Sequence, residues 1–97
     1  MRGLQPCVYL LASSARDTLC TGVTSDLIKR VWQHRTDAAD GFTRKHKVHL
    51  LAWFEQHATM ESAIAREKAI KAWKRLWKIE LIEKPNPEWR DPYPDII

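Results

Sequence analysis

The chain has 97 residues, and its 16 lysines and arginines exceed its 12 aspartates and glutamates, which leaves a formal charge of +4. A chain of this length forms one small domain, and the lack of a long apolar run excludes a membrane-spanning helix. We therefore predict a single domain over residues 1–97, with a core over about 5–84 and a proline-containing tail over 85–97.

The N-terminus and the cysteines indicate the compartment. Residues 1–6 carry one charge and no apolar stretch, so we expect neither a secretory signal nor a transit peptide and predict a cytoplasmic protein. Two cysteines, Cys7 and Cys20, fit a reducing compartment and favour buried free thiols over a disulfide or a zinc site.

Positive charge gathers in two stretches, 44–47 and 66–78. Such clusters are mostly a solvated surface, but they are also the electrostatic footprint of nucleic-acid binding. Arg44, Lys45 and Lys47 lie in a predicted loop over residues 38–47. We predict that they contact phosphates rather than bases, because flexible point charges without a recognition helix carry no sequence information.

The first part of the chain predicts a hairpin followed by a helix. Two runs rich in strand formers, 7–11 and 18–23, are separated by a polar stretch and predict a β-hairpin. Ser25 is a candidate N-cap for an amphipathic helix from Asp26 to about Asp37. The arc that faces the core is expected to hold Leu27, Ile28, Val31 and Trp32.

Two functional side chains border that arc. Arg30 and His34, four residues apart, stand together at its margin, where side chains are half buried. A cation held beside a core suits recognition of an anion, and upstream Gly22 allows another group to approach the backbone closely. The alternative is a surface arginine and a histidine that only caps the helix end.

The second part of the chain predicts a third strand and two helices. Residues 48–56 have strand composition and extend the hairpin. Thr59 caps a long helix over 60 to about 74, and another helix spans about 76–83 before two prolines. The tail that follows is expected to lie along the surface, pinned by Trp89.

The aromatic side chains of this part have a structural and a functional interpretation. Trp53, Trp73 and Trp77 are predicted to be core aromatics before they are base-stacking platforms.

The long helix carries a carboxylate on its apolar face. Glu67 projects into an arc that is otherwise expected to hold Met60, Ala63, Ile64, Ile70 and Lys74. An unpaired buried charge is costly, so Glu67 must be protonated, paired with a cation such as Arg30, or bound to a metal. Mg²⁺ would suit a metal site, because it often takes one or two protein carboxylates and completes its coordination with water and phosphate.

The order of these parts resembles the GIY-YIG nuclease superfamily, most closely its small single-domain bacterial members that are predicted endonucleases. The residues that carry the resemblance are Tyr9, the strand end CTGVT, a helix with DLxxR and a histidine four residues later, and AxxxE on a late helix. It continues through GFTRKHKVH, AIAREKAIKAWKRLWKIELIEK and NPEWRD. The resemblance implies an α/β fold in which a three-stranded antiparallel sheet is flanked by helices.

The resemblance also implies roles for individual residues. Tyr9 takes the place of the first motif tyrosine, Arg30 that of the arginine that stabilises charge, and Glu67 that of the ligand of one divalent metal, Mg²⁺ or Mn²⁺. His34 and Asn86 match residues that lie near the site in some members.

The second strand departs from the family pattern, because Cys20-Thr21-Gly22 stands where Tyr-Ile-Gly is usual. In the family a tyrosine is thought to accept the proton of the attacking water, which requires a pKa well below about 10. Cysteine is shorter, and its sulfur is a poor partner for Mg²⁺. Loss of a general base typically costs on the order of 10² to 10⁴ in rate. Tyr9 could cover part of that role.

These features predict a DNA endonuclease that hydrolyses phosphodiester bonds with a single divalent metal and no small-molecule cofactor. One alternative is a nucleic-acid-binding module on the same fold whose catalysis is impaired at Cys20, and another is a protein-interaction domain. The sequence leaves open the preferred DNA structure, the cellular process and whether the chain forms a homodimer.

Overall fold

A three-stranded antiparallel sheet lies at the centre of the molecule. The computed structural model describes residues 4–15, 17–35 and 50–96. The strands are β1 (Cys7–Ala12), β2 (Leu19–Thr24) and β3 (Leu50–Gln56), in the order β2-β1-β3. β1 is therefore the central strand, and β2 and β3 form the two edges.

Three helices of the described residues follow the predicted order, and a fourth, in the tail, was not predicted. They are α1 (Leu27–Arg35), α2 (Met60–Ala72), α3 (Arg75–Glu83) and the short α4 (Tyr93–Ile96). The predicted α/β fold class, with helices flanking the sheet, is confirmed. The predicted end of the first helix at Asp37, the first two residues of the predicted third strand and the basic loop lie outside the described residues.

Every residue of β1 is buried, and successive side chains point into two different layers. The α2 layer contains Val8, Leu10 and Ala12 together with Ala63, Ile70, Ile79, Ile82 and Trp89. The α1 layer contains Cys7, Tyr9 and Leu11 together with Leu27, Val31 and Leu51. Because both faces of β1 are covered, its sequence is a continuous apolar run rather than an alternating one.

The caps of the two main helices are local hydrogen bonds. The predicted Thr59 cap of α2 is confirmed, since its hydroxyl accepts from the backbone amide of Ser62 at 3.2 Å. The predicted Ser25 cap of α1 is wrong. The carboxylate of Asp26 accepts from the backbone amide of Lys29 at 3.2 Å, and α1 begins one residue later than predicted.

The buried face of α1 is narrower than the predicted arc. Leu27, Val31 and His34 are buried, at positions i, i+4 and i+7 of the helix. Trp32, predicted to face the core, is 53% exposed, and Ile28 is half buried. One row of α1 side chains is therefore fully buried, and the side chains beside it are half buried or exposed.

α2 shows the same pattern. Its buried residues are Ala63, Glu67 and Ile70, again at i, i+4 and i+7. The other predicted inner residues are exposed: Met60, Ile64 and Lys74, the last beyond the end of the helix. The predicted core position of Trp77 is also wrong, because half of its surface is exposed.

The C-terminal tail runs from the α2 layer, where Trp89 is buried, to the α1 layer, where Tyr93 packs. Trp89, as predicted, pins it: the indole is buried, and its Nε1 donates to the carboxylate of Glu83 at 2.7 Å. The tail does more than follow the surface, because Tyr93 of α4 packs on the α1 layer and stacks with the guanidinium of Arg35 at 4.5 Å. In the described part of the chain, no helix has the length and apolar character needed to cross a membrane.

Candidate active site

The phenol of Tyr9 lies close to two other predicted site residues, Arg30 and His34. Tyr9 is 3% exposed in the α1 layer. Nε of Arg30 donates to its hydroxyl at 3.3 Å, and Nη1 of Arg30 donates to the side chain of Gln33 at 3.3 Å. The ring of His34 lies 6.3 Å from the ring of Tyr9, centroid to centroid. The sequence placed His34 half buried at the margin of the apolar arc, but in the structure it is buried.

Gly22 determines where the phenol lies. Tyr9 is paired with Gly22 across the β1–β2 ladder. A Cβ atom at residue 22 would stand 2.3 Å from the hydroxyl oxygen of Tyr9 and 2.4 Å from its ring carbon Cζ. The ring therefore lies across the backbone of Gly22. This is the close approach that was predicted from the glycine at this position. Because β2 is an edge strand, the phenol extends toward the edge of the sheet.

Cys20 lies on the same side of the hairpin as Tyr9. It is paired with Leu11, two residues along β1 from Tyr9, and packs half buried against the α1 layer. Cys20 and Cys7 are not joined by a disulfide, and the predicted buried position is wrong for Cys20. Cys7 is completely buried, and burial raises the pKa of its thiol.

Glu67 is paired with a cation that the sequence reasoning missed. The carboxylate is in a residue only 9% exposed, and its Oε2 lies 2.9 Å from Nζ of Lys71. Glu67 raises the pKa of Lys71 by a hydrogen bond and by its charge. The sequence did contain a signal for this pair, because Glu67 and Lys71 are four residues apart on one helix. The Lys71 side chain is 58% exposed, so its ammonium group can move away at little cost.

The electrostatics connect Glu67 to Tyr9 although their elements lie in different layers. α2 contacts both β1 and β2. Burial is the largest influence on the pKa of Tyr9, and the charges of Cys20 and Glu67 raise it further. The charges of Cys20 and Tyr9 likewise raise the pKa of Lys71, after the larger effect of Glu67. The phenol, thiol, carboxylate and ammonium groups thus share one electrostatic environment near the β2 edge.

Tyr9 is a neutral phenol at neutral pH. The hydrogen bond and the charge of Arg30 lower its pKa, but burial outweighs them and leaves the pKa above its usual value of 10.0. A buried phenol favours its uncharged form, because ionisation there loses hydration. In this state Tyr9 can donate a hydrogen bond, whereas a role as proton acceptor would need a lower pKa.

The donor set fits Mg²⁺ or Mn²⁺ better than zinc. Among residues 4–15, 17–35 and 50–96, no three His, Cys, Asp or Glu side chains are grouped to hold a metal. Zinc sites need three or four such ligands. Mg²⁺ keeps several waters and accepts a single protein carboxylate, and Mn²⁺ also prefers oxygen. Glu67, a buried carboxylate whose cationic partner is exposed to solvent, can supply that ligand.

Asn86, a predicted site residue, does not join this cluster in the described structure. Asn86 donates to the carbonyl oxygens of Ala52 at 3.2 Å and Arg90 at 2.9 Å, which fastens the tail to β3 at the edge opposite β2. The predicted phosphate contacts are outside the described residues: Arg44, Lys45 and Lys47.

Comparison with known proteins identifies the family. Residues 5–80 match the family model of the GIY-YIG catalytic domain, a span that includes Tyr9, Cys20, Arg30 and Glu67. The chain belongs to the GIY-YIG family. This GIY-YIG protein is 34% identical over 77 residues to a UPF0213 protein of Haloquadratum walsbyi, which covers 79% of the chain and 85% of the relative. No solved structure matches the chain significantly. The resemblance in the sequence is confirmed, and the family implies a nuclease-type phosphodiesterase that acts on nucleic acid.

Proposed function

We propose that this GIY-YIG protein is a DNA endonuclease that hydrolyses phosphodiester bonds with a single divalent metal, Mg²⁺ or Mn²⁺. The observation that carries the proposal is the phenol of Tyr9, which accepts a hydrogen bond from Arg30 and is influenced by the charge of Glu67. A cation, a buried carboxylate and a polar hydroxyl are the groups needed around a phosphate whose negative charge increases during hydrolysis.

Arg30 has the role of stabilising charge. Its guanidinium is held by Tyr9 on one side and Gln33 on the other, so its position is set before a substrate arrives. A preorganised cation stabilises developing charge without the cost of reorientation during the reaction. Tyr9, protonated because it is buried, donates a hydrogen bond to a phosphate oxygen.

Glu67 has the role of metal ligand, with Lys71 occupying the carboxylate until a metal arrives. A bound Mg²⁺ or Mn²⁺ would supply Lewis acidity and lower the pKa of a bound water. The proposal therefore requires Arg30 and Glu67 to face one cleft around the phenol. Arg44, Lys45 and Lys47 are proposed to hold the flanking phosphates, with no role for an organic cofactor or a membrane.

The second candidate is a nucleic-acid-binding module with impaired catalysis. The observation that favours it is the chemistry of both motif positions: Cys20 has no phenol, and the pKa of Tyr9 is raised by burial. The raised pKa of Tyr9 disfavours the deprotonated phenol that could accept a proton, although Arg30 and the basic residues could still bind phosphates.

The test is nicking of supercoiled plasmid by Glu67→Gln in Mg²⁺ and in Mn²⁺. We expect a loss of about 10²-fold or more, in line with removal of a central catalytic group, with gel-shift binding retained. Lys71→Met is the matched control, because it breaks the same ion pair but leaves the carboxylate, and it should keep most of the activity.

Other outcomes select the alternatives. If no preparation nicks DNA and binding persists, the binding module is correct. If the protein neither nicks nor binds DNA, the protein-interaction domain is the remaining interpretation. Equal losses in Glu67→Gln and Lys71→Met would show that the ion pair, and not the carboxylate, is what matters.

A further inference from the structure

A second surface begins where α2 ends. Trp73 follows the last residue of α2, and its indole meets that of Trp77 edge to face, with centroids 6.3 Å apart and planes at 78°. Trp73 is packed against the α2 layer, whereas Trp77 is 50% exposed. We define the indole groove as a shallow cavity of about 420 Å³ together with its lining residues: Trp73, Trp77, Glu80, Leu81 and Lys84. An indole exposed to this extent contributes little to folding and is available to bind a ligand.

Cations surround these indoles. The ammonium of Lys74 lies over Trp77 at 5.8 Å from the ring centroid, and the guanidinium of Arg66 lies over Trp73 at 5.3 Å. Lys84 lines the groove, and Glu80 is the acidic residue among the lining side chains. The nearby Glu83 accepts the hydrogen bond of Trp89. Arg66 is also paired with Glu55, with Nε and Oε1 3.2 Å apart, so the charge balance beside Trp77 rests on Lys74 and Lys84 against Glu80.

We propose that the indole groove binds single-stranded DNA, with a base stacked on Trp77 and the adjoining phosphates held by Lys74 and Lys84. Aromatic platforms flanked by cations are the chemistry that binds single strands, because every base has a face that can stack. A duplex offers its phosphates but keeps its bases stacked on each other, so it gains little from an exposed indole. This inference rests on the proposed function, and the occupant of the indole groove is the single-stranded part of the DNA substrate.

The position of the groove supports the same occupant. Glu67 and Ala72 lie five residues apart on α2, which corresponds to about 7.5 Å of helix axis, and Trp73 follows directly. Lys74, whose ammonium lies over Trp77, stands at the same end of α2. Along the helix axis, the proposed metal ligand and the groove are therefore within the length of a strand of a few nucleotides.

The experiment compares labelled oligonucleotides by fluorescence anisotropy in EDTA, so that binding is measured without cleavage. The probes are oligo-dT of about 12 nucleotides and a duplex of equal length. Trp77→Ala should weaken binding of the single strand by about 5-fold or more, while binding of the duplex changes by less than about 2-fold. Trp77→Phe keeps an aromatic face and should retain most of the affinity.

Trp32→Ala is the matched control, because Trp32 is exposed to a similar extent but lies on α1. It should leave the affinity for both probes unchanged. Thermal unfolding of each variant establishes that it is folded. Should Trp77→Ala lose stability, Trp77→Leu provides a second test, because it keeps apolar bulk but has no ring on which a base can stack.

The proposal is overturned if wild type does not bind the single strand, or if Trp77→Ala does not weaken that binding selectively. Self-association in sedimentation that depends on Trp77 while single-strand affinity does not would assign the groove to a protein interface. The proposed function fails separately: a protein that binds the single strand through Trp77 but does not nick with any metal contradicts only the nuclease activity.

Discussion

The two faces of β1 are equally buried but differ in chemistry. On the α2 layer the strand contributes Val8, Leu10 and Ala12, which belong to a cluster of apolar side chains. On the α1 layer it contributes Tyr9, whose hydroxyl is bonded to Arg30. One face of the central strand thus supports the fold, and the other holds a polar group whose desolvation is compensated by a cation. Because successive side chains of β1 point to opposite faces, the residues that stabilise the core and the residue that faces the site lie on different sides of the sheet.

Glu67 is the exception that connects the two layers. It lies on α2, in the same buried row as Ala63 and Ile70, yet its charge acts on Tyr9. The connection depends on Gly22, because a side chain there would occupy the space that the phenol uses to reach the edge strand. The comparison therefore predicts different consequences for substitutions on the two faces.

The largest effect on stability is expected for Leu10→Ala in the α2 layer. Leu10 is completely buried, and truncation of such a side chain costs about 2 to 5 kcal/mol of unfolding free energy. Urea denaturation measures it, with exposed Leu4→Ala as the control that should change stability by less than about 0.5 kcal/mol. Equal effects of the two substitutions would contradict the assignment of this face to stability.

Gly22→Ala is expected to cost about 1 to 3 kcal/mol, because the new methyl group forces the ring of Tyr9 to move. The cost should fall in a Tyr9→Leu background, where no phenol lies over residue 22. A double-mutant cycle by urea denaturation measures this coupling. Additive effects would show that the glycine is required for another reason.

Cys20→Tyr is expected to raise plasmid nicking by about 10-fold or more, because it restores a phenol that can bind the attacking water. Overpacking could lower stability by about 1 to 3 kcal/mol, so the folded fraction is measured beside the rate. If Cys20→Tyr nicks no faster than wild type and Tyr9→Phe is inactive, Tyr9 already serves as the general base. If neither protein is active with any metal, the binding module replaces the nuclease.

The smallest effect concerns the pH dependence of stability. Burial raises the pKa of Tyr9, so above pH 10.0 the folded protein keeps a proton that the unfolded chain loses, and stability falls as pH rises through the raised pKa. Tyr9→Phe should lack this part of the loss. Urea midpoints between about pH 8 and 11 measure the difference, in which the contribution of Cys7 cancels. Parallel curves for the two proteins would contradict a buried, protonated Tyr9.

The sequence by itself determined the parts of this protein that depend on local chemistry. The three strands, the Thr59 cap and the order of the GIY-YIG motifs follow from composition and spacing over a few residues. The burial of Glu67 was also predictable, because a carboxylate between Ala63 and Ile70 faces the same way as its neighbours. Such features are decided before distant segments meet.

Only the tertiary structure decided which side chains meet and how wide each buried face is. The register that sets Tyr9 over Gly22 depends on strand pairing, and the choice of Lys71 as the partner of Glu67 depends on side-chain orientation. Helical periodicity marks a broad apolar arc, but in the folded protein one row of each main helix is fully buried. The orientation in which α1 packs on the sheet buries His34 and leaves Trp32 exposed, a result that no local pattern on α1 contains.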